Sequence, residues 1–144
     1  MGADPAEVEL RIPNEIMNQG RLDVVDEVLS NDMIEHMAVL PGYEGLDGFK
    51  RFVSAFREAF PDLHYDVQFH ASAGDIVTTV AKGTGTMQGS FMGMPASGKR
   101  AEWTEIHVSR VHDGKVVEHW GLVDQLTMMQ QLGFIPAPAG APTG

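Results

Sequence analysis

The sequence predicts an α+β fold in which three N-terminal helices are followed by a curved antiparallel sheet that folds over them, with a short C-terminal helix. Two observations predict it. Apolar residues recur at helical spacing as far as Phe60 and with a period of two from Leu63 onward, and the switch falls at Pro61. Two long β-rich segments, 99–111 and 115–124, are then joined through His112-Asp113-Gly114, the strongest hairpin signal in the chain.

Each element has a local cause. Asp4 caps the first helix, with Pro5 at its first position and Glu7 three residues after the cap. Pro13 should kink or interrupt it, because a mid-helix proline removes a donor and crowds the carbonyl four residues back, and Gly20 ends the unit. Leu22, Val25, Val28 and Leu29 set a second short helix, closed by Ser30-Asn31-Asp32. The third is capped by Asp47 and carries Phe49, Phe52, Val53, Phe56 and Phe60 on one face until Pro61 stops it; such a stripe predicts core. Leu63, Tyr65, Val67 and Phe69 then share one face of a half-buried strand. After the Gly74-Asp75 turn, the β-branched run Ile76 to Ala81 suits a strand buried on both faces. The glycine- and methionine-rich stretch 83–98 reads as a strand ending in a loop. Asp124 caps a terminal helix over 125–132 that Gly133 stops. One domain over 1–134 and a loose Pro/Ala/Gly-rich tail over 135–144 account for the chain.

Composition narrows the function classes. At 144 residues and 43% apolar, the chain affords one sizeable core. A formal net charge of −10 without a basic run argues against nucleic acid and anionic membrane as partners. The absence of cysteine excludes disulfides, thiolate nucleophiles and iron–sulfur clusters. The opening MGADPAEVEL has neither the basic nor the apolar region of a secretory leader, and a cytoplasmic protein is expected.

Loop length in the hairpin decides which side chains converge, because one residue of register moves a strand's side chains to the other face. A two-residue Asp113-Gly114 loop gathers Trp103, Glu105, His107, Glu118, Trp120 and Asp124. A three-residue loop closed by a left-handed Gly114 instead pairs His107 with His119, Glu105 with Gly121 and Trp103 with Val123. It leaves Ile106, Val108, Val116, Trp120 and Leu122 on the opposite face. This second register separates polar from apolar residues more cleanly and is the one adopted here. Glu105, His107 and His119 then converge, with facing Cβ atoms about 5 Å apart. A carboxyl and two imidazoles can move protons; the same residues also suit a solvated polar face. An apolar surrounding raises the carboxyl's pKa and an imidazolium lowers it, so the balance is left to the structure. No His-x-His or His-Glu-x-x-His spacing occurs, and neither metal nor cofactor is expected. His36, after Met33-Ile34, suits either the mouth of a binding cavity or a partly buried position with its ring nitrogens satisfied.

The run Asp113 to Trp120, then Asp124 and Gln130-Gln131-Leu132-Gly133, resembles the SnoaL-like polyketide cyclases and their ester cyclase relatives. Asn18-Gln19-Gly20-Arg21, Phe56 to Asp62 and Gly93-Met94-Pro95 extend the resemblance to about residues 6–134. It implies a cone-shaped α+β barrel of the nuclear-transport-factor type around an apolar cavity, and a cofactor-free intramolecular aldol closure of an anthraquinone ester. His107 and His119 match family histidines, and Glu105 matches an amide-bearing residue. The family's acid–base aspartate falls at Gly121, which cannot donate a proton. We therefore expect Glu105 to project across to Gly121 and carry the proton transfer, with His107 and His119 orienting it. Trp103, His36 and Gly121 would line the binding site for a hydrophobic small molecule. A non-catalytic binding protein, or an isomerase, dehydratase or hydrolase using the same cluster, remain alternatives. The apolar outer sheet face predicts a homodimer.

Overall fold

A computed structural model describes residues 4–138. Helix α1 (Pro5–Arg11) opens at Asp4, whose carboxylate accepts the Ala6 N–H at 3.1 Å, and is interrupted around Pro13 as expected, where a π-helical turn (Ile12–Met17) takes over. Widening the turn accommodates the missing proline donor. Helix α2 (Asp23–Val28) and helix α3 (Gly45–Ala59) follow, the latter with Glu44 at its N-cap and the expected cap Asp47 inside its first turn. The strands are β1 (Leu29–Glu35), β2 (His64–Ala73), β3 (Ile76–Thr86), β4 (Arg100–His112) and β5 (Lys115–Val123), and helix α4 (Gln125–Leu132) ends the fold at a left-handed Gly133. Among the described residues, no helix is long and apolar enough to cross a membrane.

The sheet runs β1-β5-β4-β3-β2. β2 to β5 form the expected antiparallel meander, and β1 adds to β5 in parallel. The expected helix end Ser30-Asn31-Asp32 instead belongs to β1, in the irregular stretch between Leu29 and Ile34, which pair with Val116 and Glu118 of β5. On α3, Val53 and Phe56 are buried and Phe49 and Phe52 partly so; with Phe60, just past its end, they pack over the inner sheet face as the stripe predicts. Trp103 on β4 lies edge-on to Phe56, Phe60 and Tyr65, with ring centroids 6.1 to 6.3 Å apart. Gly83 makes room for it: a Cβ there would sit 2.5 Å from the indole.

Three placements differ from expectation. β3 alternates along its whole length, with Val77, Thr79 and Ala81 inward, and is not buried on both faces. A bulge between Val67 and Phe69 turns Phe69 to the outer face opposite Val80, 60% exposed. The hairpin loop is the two-residue Asp113-Gly114, both at positive φ, and a second bulge between Arg110 and Val111 shifts the pairing beyond it. His107 therefore faces Gly121, Glu105 faces Val123 and Ser109 faces His119. Val116, assigned to the outer face, is fully buried against Val111 on the turn side of that bulge. Of the expected tail, Ile135 still donates its N–H to Met129, and residues 139–144 lie outside the described residues.

Candidate active site

The inner sheet face brings Trp103, Glu105, His107, His119 and Gly121 together despite the different register. The observed pairing differs from the adopted one by two residues, and side chains alternate with a period of two, so the same residues stay on the same face. What changes is who faces whom. His107 and His119 are diagonal neighbours, and His119 pairs laterally with Glu35 of β1.

The result is a continuous hydrogen-bonded chain. Tyr65 Oη and Trp103 Nε1 donate to Glu105 Oε2 at 2.6 and 2.7 Å, and His107 Nε2 meets Glu105 Oε1 at 2.9 Å. His107 Nδ1 meets His119 Nε2 at 2.9 Å, and His119 Nδ1 meets Glu35 Oε1 at 2.7 Å. Burial pushes the Glu105 carboxyl up. The hydrogen bond and charge of His107, with the donors Tyr65 and Trp103, outweigh burial and leave it below its ordinary value. Burial likewise pushes His107 down, but the hydrogen bond and charge of Glu105, with Glu9 and Glu35, leave it raised. Across this bond each group favours the charged form of the other. Burial, then Glu105, push the Tyr65 phenol well above its usual range, so it stays a donor.

Several expectations about individual residues are corrected. Glu105 does not fill space vacated at Gly121; the imidazole of His107 lies there. A Cβ at Gly121 would lie 2.8 Å from His107 Nδ1, 3.0 Å from His119 Cε1 and 3.0 Å from Met37 Sδ, so glycine lets the two rings close on each other. Trp103 is 2% exposed and belongs to the core, where its N–H fixes Glu105. His36 stands apart from the cluster: it lies flat on Trp120 at 4.7 Å and bonds Glu118 at 2.8 Å, on the outer face. Solvent reaches the cluster at His107 and at Glu35, with side-chain exposure of 23% and 27%, against 14% for His119 and 10% for Glu105. An open groove of about 640 Å³ lies elsewhere, against Leu22, Tyr43, Arg51 and Ser54. Asp124 is the expected cap, accepting from Thr127 N at 3.1 Å.

Two carboxyls were not found from sequence. Glu35 follows Met33-Ile34, past the Ser30-Asn31-Asp32 expected to close a helix, where the sequence marks no element. Glu9 of α1 is 3% exposed, and its Oε2 and the Ser109 hydroxyl lack partners among the described residues. Burial raises the Glu9 pKa, partly opposed by the charges of His107 and His119. Its signal was its alignment with Ile12 and Ile16 at helical spacing, on the face that packs inward.

The profile of the family described as SnoaL-like polyketide cyclase matches residues 8–132. This chain belongs to that family. It is 30% identical over 133 residues to the aklanonic acid methyl ester cyclase DauD of Streptomyces sp. strain C5, covering 88% of this chain and 81% of that protein. The aklanonic acid methyl ester cyclase DnrD of Streptomyces peucetius is also 30% identical, over 130 residues, covering 88% of this chain and 90% of that one. The crystal structure of wild-type IdmH from Streptomyces antibioticus superposes with a TM-score of 0.77 at 32% identity, covering 91% of this chain and 99% of that chain. The cone-shaped α+β architecture implied by the resemblance is the architecture of the family.

Proposed function

We propose that this SnoaL-like polyketide cyclase closes a ring on a polyketide-derived aromatic ester by acid–base chemistry, in the manner that the names of DauD and DnrD indicate for aklanonic acid methyl ester. The observation that carries the reading is the unbroken Glu105–His107–His119 chain on the inner sheet face. An aldol-type closure breaks one C–H bond, forms one C–C bond and places a proton on the new alkoxide. It calls for a group that both accepts and returns a proton. A substrate whose carbonyls flank the reacting carbon delocalises the resulting carbanion, so the protein supplies orientation and proton transfer alone. The substrate approaches the imidazole pair from its solvent-facing side. His107 and His119 exchange the proton with it, and Glu105 holds His107 in place and in charge. In this reading Glu105 positions the imidazole pair, which replaces the sequence expectation that Glu105 is itself the acid.

Turnover of aklanonic acid methyl ester, read by product chromatography, tests this. Glu105→Gln is expected to lose on the order of 10²-fold in rate or more while substrate binding persists. Unchanged turnover in that variant overturns the assignment. Saturable binding without turnover in the unaltered protein would identify a binding protein, and solvent oxygen in the product a hydrolase. We also propose a homodimer through the outer sheet face. The row Phe69, Val80, Ile106 and Leu122 crosses four strands, with Phe69, Ile106 and Leu122 exposed by 60%, 46% and 77%. Monomeric sedimentation at micromolar concentration refutes it.

A further inference from the structure

We propose that Glu35 is the outer terminus of a proton relay, Glu105–His107–His119–Glu35, through which the buried end of the site exchanges protons with solvent. The proposal deepens the acid–base reading above and rests on it for its purpose. Its three links measure 2.9, 2.9 and 2.7 Å, and every one joins two groups that can each carry or release the proton. A link needs one proton, so the four groups share three. With Glu105 and Glu35 ionised, His107 carries both its ring protons and His119 carries one, on Nδ1. From that state the proton on His107 Nε2 can pass to Glu105 Oε1, leaving a neutral acid at the inner end. Alternatively, His119 passes its Nδ1 proton to Glu35 and takes the His107 Nδ1 proton onto Nε2. The two limits differ by one proton carried from Glu35 to Glu105, with both imidazoles neutral and their tautomers exchanged. No atom moves far, and no further reactant is consumed.

The two ends are built differently. At Glu105 the remaining contacts are the indole N–H of Trp103, a donor only, and the Tyr65 hydroxyl, so the relay is closed there. Glu35, at the end of an edge strand, is the more exposed carboxyl. The Met37 N–H pins the same Oε1 that faces His119, at 3.0 Å. Among the described residues, the other ionisable group against the imidazoles is Glu9 from α1, buried and without a partner for Oε2.

Exchange of the His107 ring N–H protons with water, followed by nitrogen-15 NMR on the substrate-free full chain, tests the relay. Glu35→Gln keeps an oxygen facing His119 but cannot take up the proton. It is expected to slow exchange on the order of 10²-fold, the lower range of what one positioned acid–base group supplies, and Glu35→Asp to restore much of the loss. A residue that merely held His119 in place would, when altered, loosen the site and leave exchange unchanged or faster. Either result overturns the relay. Both variants lie at a strand end a quarter exposed, so the fold tolerates them. Slowed exchange in a protein that never cyclises aklanonic acid methyl ester leaves the relay and removes the cyclase reading. Unchanged exchange beside normal cyclisation removes the relay alone.

Discussion

Replacing Gly121 with alanine is expected to break the contact between the two imidazoles. The new Cβ would lie 2.8 Å from His107 Nδ1, whereas ordinary van der Waals contact begins near 3.4 Å, so the ring must recede by about 0.6 Å. Met37 can swing its thioether away at little cost. The His107–His119 bond cannot follow, because lengthening 2.9 Å by that amount takes it to about 3.5 Å, the outer limit of a hydrogen bond. Overpacking of this kind costs about 1–3 kcal/mol, and a lost hydrogen bond to a charged group costs a similar amount. We expect about 2 kcal/mol, measured as a fall in urea midpoint at pH 6 with the slope unchanged. The same substitution made in His107→Ala should cost less than about 0.5 kcal/mol, since the obstructing ring is gone. A stability loss that persists without His107, or no loss in its presence, refutes the steric account. Gly121→Asp would meet the same barrier, so restoring the carboxyl that the family resemblance places there displaces the pair it is meant to serve.

Two further predictions concern pH. The folded value of Glu105 lies below its ordinary one, so its contribution to stability is complete above about pH 4.5 and is lost as pH falls through the lowered value; His107 lies above its ordinary value, so its contribution is complete below about pH 6.5 and is lost as pH rises through the raised one. Stability from the pair should therefore be greatest between those limits, and Glu105→Gln should flatten the decline on the alkaline side in urea titrations; an identical pH profile in both proteins contradicts it. Glu9 has the opposite sign for a carboxyl: its folded value is raised, so its burial destabilises increasingly as pH rises from its ordinary value through the raised one. Glu9→Gln should accordingly gain stability relative to the unaltered protein between pH 5 and 8 and show no gain near pH 4, and a constant difference across that range would rule out titration of Glu9.

Much of this site could be read in the sequence because strand side chains alternate, and parity survives errors that distance does not. The expected three-residue hairpin loop does not form. The two-residue loop that does form would, in an unbroken ladder, have sent Trp120 inward and His119 out. The bulge between Arg110 and Val111 reverses that parity, and nothing in the uniform run Val116-Val117-Glu118 marks where an extra residue will be absorbed. The same device on β2 turned Phe69 outward against its alternating pattern. β1 was illegible for another reason: Ser30-Asn31-Asp32 has no strand preference of its own, and it is carried into the strand between Leu29 and Ile34, which pair with residues more than eighty positions away. Glu35 entered the site with it. Protonation lay still further from the sequence. Whether Glu105 is a neutral acid or a carboxylate turns on three donors converging within 2.9 Å, and two of them, Tyr65 and Trp103, come from positions that read simply as core. Residue types and periodicity thus indicated which groups meet, while the direction in which protons move between them depends on contacts that only the folded chain defines.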